Sequence, residues 1–252
     1  MINLTILLTG GSGLLGKKIK EIMPECLAPS HDSLDITDKK SILEYFAKNN
    51  ITDIIHTAAL TSIRKCDENK QDAWNVNVKG TKNIVQALQE NNISGYFLYV
   101  STACIFQGDE KMYNEDSIPN PVNFYGLTKL IGESIVQTLS NHLVIRTNFV
   151  GKEIWPYERA FTDRFGTYLF ADDIAHIMKN LVNENKNGLV HVTGKKVFSM
   201  FKLAKLTTPN IKPMSLKEYS GPHLTINMTL DSKRIEKFEI SNNYIEVDEL
   251  VI

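Results

Sequence analysis

Five consecutive residues, Tyr125-Gly126-Leu127-Thr128-Lys129, have the spacing of a proton-transfer device. On a helix, Tyr125 and Lys129 form an i, i+4 pair with Cβ atoms about 5–6 Å apart on one face. A phenol then neighbours an ammonium. A free tyrosine titrates near pH ~10, so acid or base work near neutrality asks for a downward shift of roughly 3 units, or about 4 kcal/mol. A fixed lysine charge is one physical source of that shift. The same spacing also describes an ordinary solvated helical pair. The elements that would have to position the pair decide between the two readings.

The first of these elements is at the N-terminus. The apolar run Thr5 to Thr9 leads into Gly10-Gly-Ser-Gly13-Leu14-Leu15-Gly16 and then into the helical Lys17-Lys-Ile-Lys-Glu-Ile22. Strand, glycine turn and helix start form the setting in which backbone approaches a pyrophosphate and a helix N-terminus attracts it. Met23 to Ala28 is expected to be a second strand. Where a carboxylate would receive a free ribose 2′-hydroxyl, the chain has Pro29-Ser30-His31. Ser30, His31 and Lys17 are suited to a 2′-phosphate, which favours NADP(H). NAD(H) stays open because Asp32 stands only a residue or two further on.

Further along, Asp38 is placed to cap a helix over Lys39 to Asn49, and Asp53 to Ala59 reads as a third buried strand ending in small residues. His56 reads as a strand residue with a satisfied ring. Asp67 to Glu90 has one long helical pattern, with Trp74, Val78, Thr81, Ile84, Val85 and Leu88 on one face. Together with the Tyr125 helix it is a candidate homodimer face. Tyr96 to Ser101 is a fourth strand that delivers Thr102 and Cys104 to its carboxyl end, where ligands bind in open parallel sheets. His142 to Arg146 and Gly188 to Val192 are the fifth and sixth strands, with a helix over Ala171 to Leu181 between them. Strands alternating with helices predict an α/β protein, a Rossmann-type doubly wound parallel sheet with a small C-terminal substrate lobe. The expected division is a dinucleotide-binding domain over 1–150 and a lobe over 151–252, with about 170–195 returning to complete the sheet.

Composition narrows the partners. A formal net charge of −1 and no dense basic run argue against nucleic acid and anionic membrane surfaces. No apolar run reaches the roughly 20 residues of a membrane span. The apolar opening lacks the basic flank and cleavage pattern of a signal peptide. Cys26, Cys66 and Cys104 are odd in number, widely spaced and without a CxxC pair, so neither a metal site nor a disulfide framework is expected. These features point to the reducing cytoplasm.

The glycine turn, the Ser101-Thr102 strand end and the YxxxK about 23 residues later resemble the extended short-chain dehydrogenase/reductase superfamily. Within it, the order of Leu34-Asp35-Ile36-Thr-Asp38, Ala58-Ala59, Asn77-Val-Lys-Gly-Thr81, Pro121 to Lys129 with Gly132-Glu133, Arg146-Thr147 and Leu230-Asp231-Ser-Lys233 is similar to the dTDP-4-dehydrorhamnose reductase family. The resemblance implies hydride transfer to a sugar C4 ketone of a nucleotide-sugar substrate. Tyr125 would protonate the alkoxide, Thr102 would hydrogen-bond the same oxygen, and Lys129 would hold the nicotinamide ribose. It implies cofactor contacts from Gly10, Gly13, Leu14, Leu15, Gly16, Ser30, His31, Asp35, Ile36, Ala58, Ala59, Thr61, Tyr125 and Lys129. Substrate contacts would come from Thr102, Asn148, Arg159 and Asn227.

Three departures from that pattern stand out. The stretch from Arg146 to Phe170 is short, Leu224-Thr225 replaces an Arg-Pro ahead of Asn227, and Cys104 stands where the reductases usually carry tyrosine. Cysteine at that position resembles bifunctional relatives that epimerise at C3 and C5 before reducing, and a thiol is a reasonable acid/base beside a ketone. Lys152, Glu153, Arg159 and Arg164 lie in the region where a second group would be needed. Cys104 is equally a small buried residue. A different class of reading is a non-catalytic NADP-binding module, because the regulatory β subunit of methionine adenosyltransferase resembles the same family.

Overall fold

The apolar run after Thr5 forms β1 (Ile6–Thr9), buried at every position. The structure, a computed structural model, describes residues 5–241. Residues 1–4, the start of the expected first strand, and 242–252, the end of the expected lobe, lie outside the described residues. The glycine turn leads to α1 (Leu14–Ile22), and α2 (Lys39–Asn49) follows, capped by the Asp38 carboxylate, which accepts from the Lys40 amide at 2.9 Å. Next come β2 (Asp53–His56), α3 (Ile63–Glu68), α4 (Lys70–Trp74), α5 (Thr81–Glu90), β3 (Phe97–Thr102), α6 (Phe124–Val136) and β4 (His142–Thr147).

The C-terminal part contributes short strands, β5 (Phe149–Val150), β6 (Arg159–Phe161), β7 (Phe165–Gly166) and β8 (Leu169–Phe170), before α7 (Ala171–Asn183) and β9 (Gly188–Val192). It closes with β10 (Phe198–Ser199), α8 (Met200–Lys205), β11 (Lys212–Met214) and β12 (Asn227–Met228). The main sheet runs β1-β2-β3-β4-β9, and every pairing in it is parallel. Strands covered on both faces must be apolar along their whole length. Phe97 to Val100 meets that demand, and Ser101 and Thr102, buried as well, are polar where the strand reaches the cavity. One core packs α1 and α7 side by side against the sheet, and the other packs α2, α5 and α6 against the opposite face. The short strands form their own small sheets beyond the carboxyl ends of β3 and β4, with β7 between β10 and β12.

Two sequence expectations need correction. The strand over Met23 to Ala28 is reduced to one bridge, Leu27 opposite Leu7. Pro24 offers no amide to a ladder, and the chain turns there, with the Cys26 amide donating to the Met23 carbonyl. The single helix over Asp67 to Glu90 is in fact interrupted. The Asn69 side chain caps α4 by accepting from the Asp72 amide, and Asn75 to Gly80 forms a π-helical turn before α5. The wider turn rotates the face, so Asn77 is 1 % exposed and Trp74 is 40 % exposed instead of buried.

Candidate active site

β3 and β4 are in register so that Ser101 faces Arg146 and Thr102 faces Thr147. This pairing builds the clamp that seats α6. The Glu133 carboxylate, on the second half of α6, accepts from Arg146 Nη2 at 2.8 Å and Nε at 3.1 Å, and from the Ser101 hydroxyl at 2.5 Å. All three residues are buried. The first half of α6 is held by the π-helical turn. Asn77 Nδ2 donates to the Thr128 hydroxyl at 3.0 Å, and Thr128 donates to the Tyr125 carbonyl at 2.8 Å. Asn77 also exchanges hydrogen bonds with the Leu60 amide and carbonyl, tying the loop after β2 to the same helix. Tight packing finishes the placement, since a Cβ on Gly126 would lie 2.2 Å from the Cys104 carbonyl oxygen.

Between these elements lies a cavity of about 440 Å³, within the usual range for small-molecule sites. Gly10, Gly13, Leu14, Leu15, Gly16, Ala59 and Thr61 line one end, and Thr102, Cys104, Tyr125, Lys129 and Asn148 the other. The glycine end suits a dinucleotide pyrophosphate. Gly13 precedes α1 without any side-chain cap, so the first helical amides are free for an anion. A Cβ on Gly16 would lie 2.1 Å from the Gly10 carbonyl oxygen, so the turn has room only for backbone.

The other candidates from the sequence lie away from that cavity. Ser30 and His31 are exposed in the loop after Leu27, and His31 Nδ1 stands 3.9 Å from Asp35. Asp35 accepts from the Thr37 amide and hydroxyl, while Ile36 is buried and its carbonyl accepts from Asn83. Ala58 sits against Gly10, beside the turn. Arg159 faces outward, paired with Glu218 at 2.5 Å, and Asn227 accepts from Thr229. Lys152 pairs with Asp172 at 3.9 Å.

The electrostatics differ from the expectation drawn from spacing. Tyr125 is pushed up, first by burial and then by Cys104, with hydrogen bonding to Thr102 pulling the other way. Lys129, 3 % exposed, is pushed down to about 7 by burial, with Glu133 opposing. Burial disfavours both charged forms, and for the tyrosine it outweighs any pull from the lysine. The Lys129 ammonium lies 4.0 Å from the centre of the Tyr99 ring. The Thr102 hydroxyl accepts from the Cys104 amide at 3.1 Å, which leaves its own proton free to donate. Cys104 Sγ contacts Met228 Sδ at 3.6 Å. His56 is a satisfied strand residue, bonded to Thr9 and Thr81, and burial pushes it down to about 3.

Sequence reasoning missed the wall that the C-terminal part adds to the cavity: Phe149, Val150, Arg164, Tyr168, Met200 and Met228. From the sequence, Arg164 is a candidate only through the region it occupies. An arginine set between Asp163 and Phe165, ahead of a glycine, was the available signal. Among the described residues no cluster of His, Cys, Asp or Glu has the arrangement of a metal site, and no helix is long and apolar enough to cross a membrane.

A parallel sheet with an uncapped glycine turn at one end of a cavity, and a threonine, tyrosine and lysine at the other, defines the extended short-chain dehydrogenase/reductase class. The comparisons with known proteins narrow this. Residues 4–223 match the RmlD substrate binding domain model, and the chain belongs to that family. It is 30% identical over 232 residues to the dTDP-4-dehydrorhamnose reductase of Aggregatibacter actinomycetemcomitans, covering 79% of this chain and 76% of the relative. The dTDP-4-dehydrorhamnose reductase of Bacillus anthracis, solved in complex with NADP, superposes with a TM-score of 0.83 at 25% identity, over 92% of this chain and 91% of that one. Methionine adenosyltransferase 2 subunit beta of Bos taurus is 24% identical over 282 residues, covering 94% of this chain and 83% of that one.

Proposed function

We propose that the chain reduces the C4 ketone of a nucleotide-activated 4-keto-6-deoxy sugar with NADPH. The observation that carries this reading is the convergence of the uncapped glycine turn and the Thr102, Tyr125 and Lys129 side chains on one cavity. NADPH, when bound, supplies the hydride. The amides that open α1 and the close-packed turn would hold its pyrophosphate, and Ser30 and His31, exposed in the loop after Leu27, are the candidates for a 2′-phosphate. The relative solved with NADP supports that choice.

At the reacting carbon, the protonated Tyr125 phenol gives its proton to the developing alkoxide, a far stronger base than a phenolate. Thr102, its oxygen already engaged by the Cys104 amide, donates to the same oxygen. Lys129 takes the ribose hydroxyls and, once charged, balances the phenolate that proton transfer leaves behind. Trp74 and Leu127, large and exposed on this side of the molecule, favour a homodimer face there.

The test is NADPH oxidation with dTDP-, UDP- and GDP-linked 4-keto-6-deoxy sugars. Tyr125→Phe is expected to bind NADPH as wild type does and to lose turnover by orders of magnitude; turnover at the wild-type rate removes Tyr125 from the chemistry. The likeness to the methionine adenosyltransferase subunit supports a second reading, a cofactor-binding regulatory module. A stoichiometric protein partner combined with no turnover on any of these sugars would favour it.

A further inference from the structure

Arg164 is buried at 8 % exposure and lines the cavity, yet it meets no carboxylate among the described residues. Its Nε donates to the Thr225 carbonyl at 3.0 Å. The remaining contacts are thioethers, Met200 Sδ at 3.2 Å from Nη1 and Met228 Sδ at 3.3 Å from Nη2. Thioether sulfur is a weak acceptor, and a desolvated guanidinium normally has an anion or several carbonyls around it.

Two further groups point the same way. The Tyr168 hydroxyl, on a residue 4 % exposed, and the Thr147 hydroxyl, on one 2 % exposed, have no hydrogen-bond partner, and both residues line the same cavity. Buried polar atoms without partners are uncommon in native proteins and mark places where something else binds. No aspartate or glutamate lines the cavity. Burial pushes the Tyr168 phenol up to about 12 against the pull of Arg164, so at neutral pH it is a donor.

Position limits what the anion is. The dinucleotide pyrophosphate belongs to the amides at the start of α1, at the glycine end. Arg164 is at the other end, on the wall built by β7 and β12, linked through Met228 to Cys104 and so to the reacting centre. The anion therefore arrives with the second ligand. On the reading above, that ligand's formal charge resides in the diphosphate between sugar and nucleoside. We propose that Arg164 and Tyr168, with Thr147 beside them, hold the diphosphate of the nucleotide-sugar substrate and so set the distance between that group and Tyr125. The proposal rests on the reductase reading for its substrate.

The test is titration calorimetry with dTDP, UDP and GDP as probes, and UDP-glucuronate for comparison, on NADPH-loaded wild-type protein and on Arg164→Met, Arg164→Lys and Tyr168→Phe, with NADPH as the control ligand. The tightest of the three diphosphates should weaken tenfold to hundredfold in Arg164→Met, the range for a lost charge-assisted hydrogen bond. It should weaken several-fold in Tyr168→Phe and recover in part in Arg164→Lys, with NADPH affinity unchanged throughout. Wild-type affinity in Arg164→Met overturns the proposal, as does wild-type protein that binds none of the diphosphates. Loss of affinity confined to UDP-glucuronate, with UDP itself unaffected, assigns the pair to a sugar carboxylate and overturns it as well. Failure of the reductase reading looks different: an Arg164-dependent diphosphate site in a protein that oxidises no NADPH with any 4-keto sugar.

Discussion

Replacing Glu133 by glutamine keeps the shape of the buried clamp and removes its charge. In the wild type the carboxylate receives Arg146 through Nε and Nη2 and the Ser101 hydroxyl, with both partners of the ion pair at 5 % exposure or less. Arg146 Nη1 already lacks a partner, so nothing nearby can take over the lost charge. Leaving one member of a buried pair uncompensated costs about 3–5 kcal/mol. For a chain of this size that corresponds to a fall in melting temperature of roughly 6–20 °C.

The substitution also acts on the chemistry. Burial is the main reason Lys129 sits near 7, and Glu133 is the group that holds it from falling further. Without that charge Lys129 drops below about 7, and the alkaline limb of the kcat/KM profile for NADPH oxidation should move to lower pH. Differential scanning fluorimetry reads the first effect and a pH series of initial rates the second. A melting point within about 3 °C of wild type, together with an unmoved alkaline limb, would refute the reasoning about both the clamp and its coupling to the lysine.

Lys129→Met should separate stability from function. The unfolded lysine titrates at its ordinary 10.5 and the folded one at about 7, so between these values the unfolded state binds more protons and stability rises with pH. The penalty is full below about 7 and gone above 10.5. Near neutrality the variant should be more stable than wild type by about 4 kcal/mol while losing turnover, and the gap should close as pH approaches 10.5; urea titrations at pH 7 and 10 test this. Asn77→Ala removes the shared partner of Leu60 and Thr128, at a cost of about 1–3 kcal/mol. Because Thr128 holds the Tyr125 carbonyl, kcat should fall more than KM rises; an unchanged kcat would show that the π-helical turn does not position the tyrosine.

Much of the fold was legible because a parallel sheet covered on both faces imposes apolar runs, as at Phe97 to Val100 and Leu143 to Ile145, that chain neighbours alone reveal. The glycine turn and the Tyr125–Lys129 pair were legible for a related reason: each is a local device whose spacing is its meaning. Leu27 shows where local reading stops, since one proline reduced an expected strand to a single bridge. Trp74 shows a second limit, because the π-helical turn depends on Asn77 reaching Leu60 and Thr128, residues distant in sequence. Arg164 and Tyr168 were hardest to see. β7 brings Arg164 to the cavity only by lying between β10 and β12, strands drawn from beyond residue 197. The sign of the tyrosine shift was illegible because desolvation belongs to the assembled pocket and not to residue spacing.

The enclosed setting of Tyr125 fixes the protonation state in which the site rests. With its phenol held above the ordinary tyrosine range, the resting protein enters each cycle already carrying the proton that a new alkoxide requires. The reverse reaction, from alcohol to ketone, passes through the same proton transfer in the other sense, so cofactor and substrate set the balance of the two directions while Tyr125 sets only where the proton rests. Burial thus sets the resting protonation state of the site before any ligand arrives.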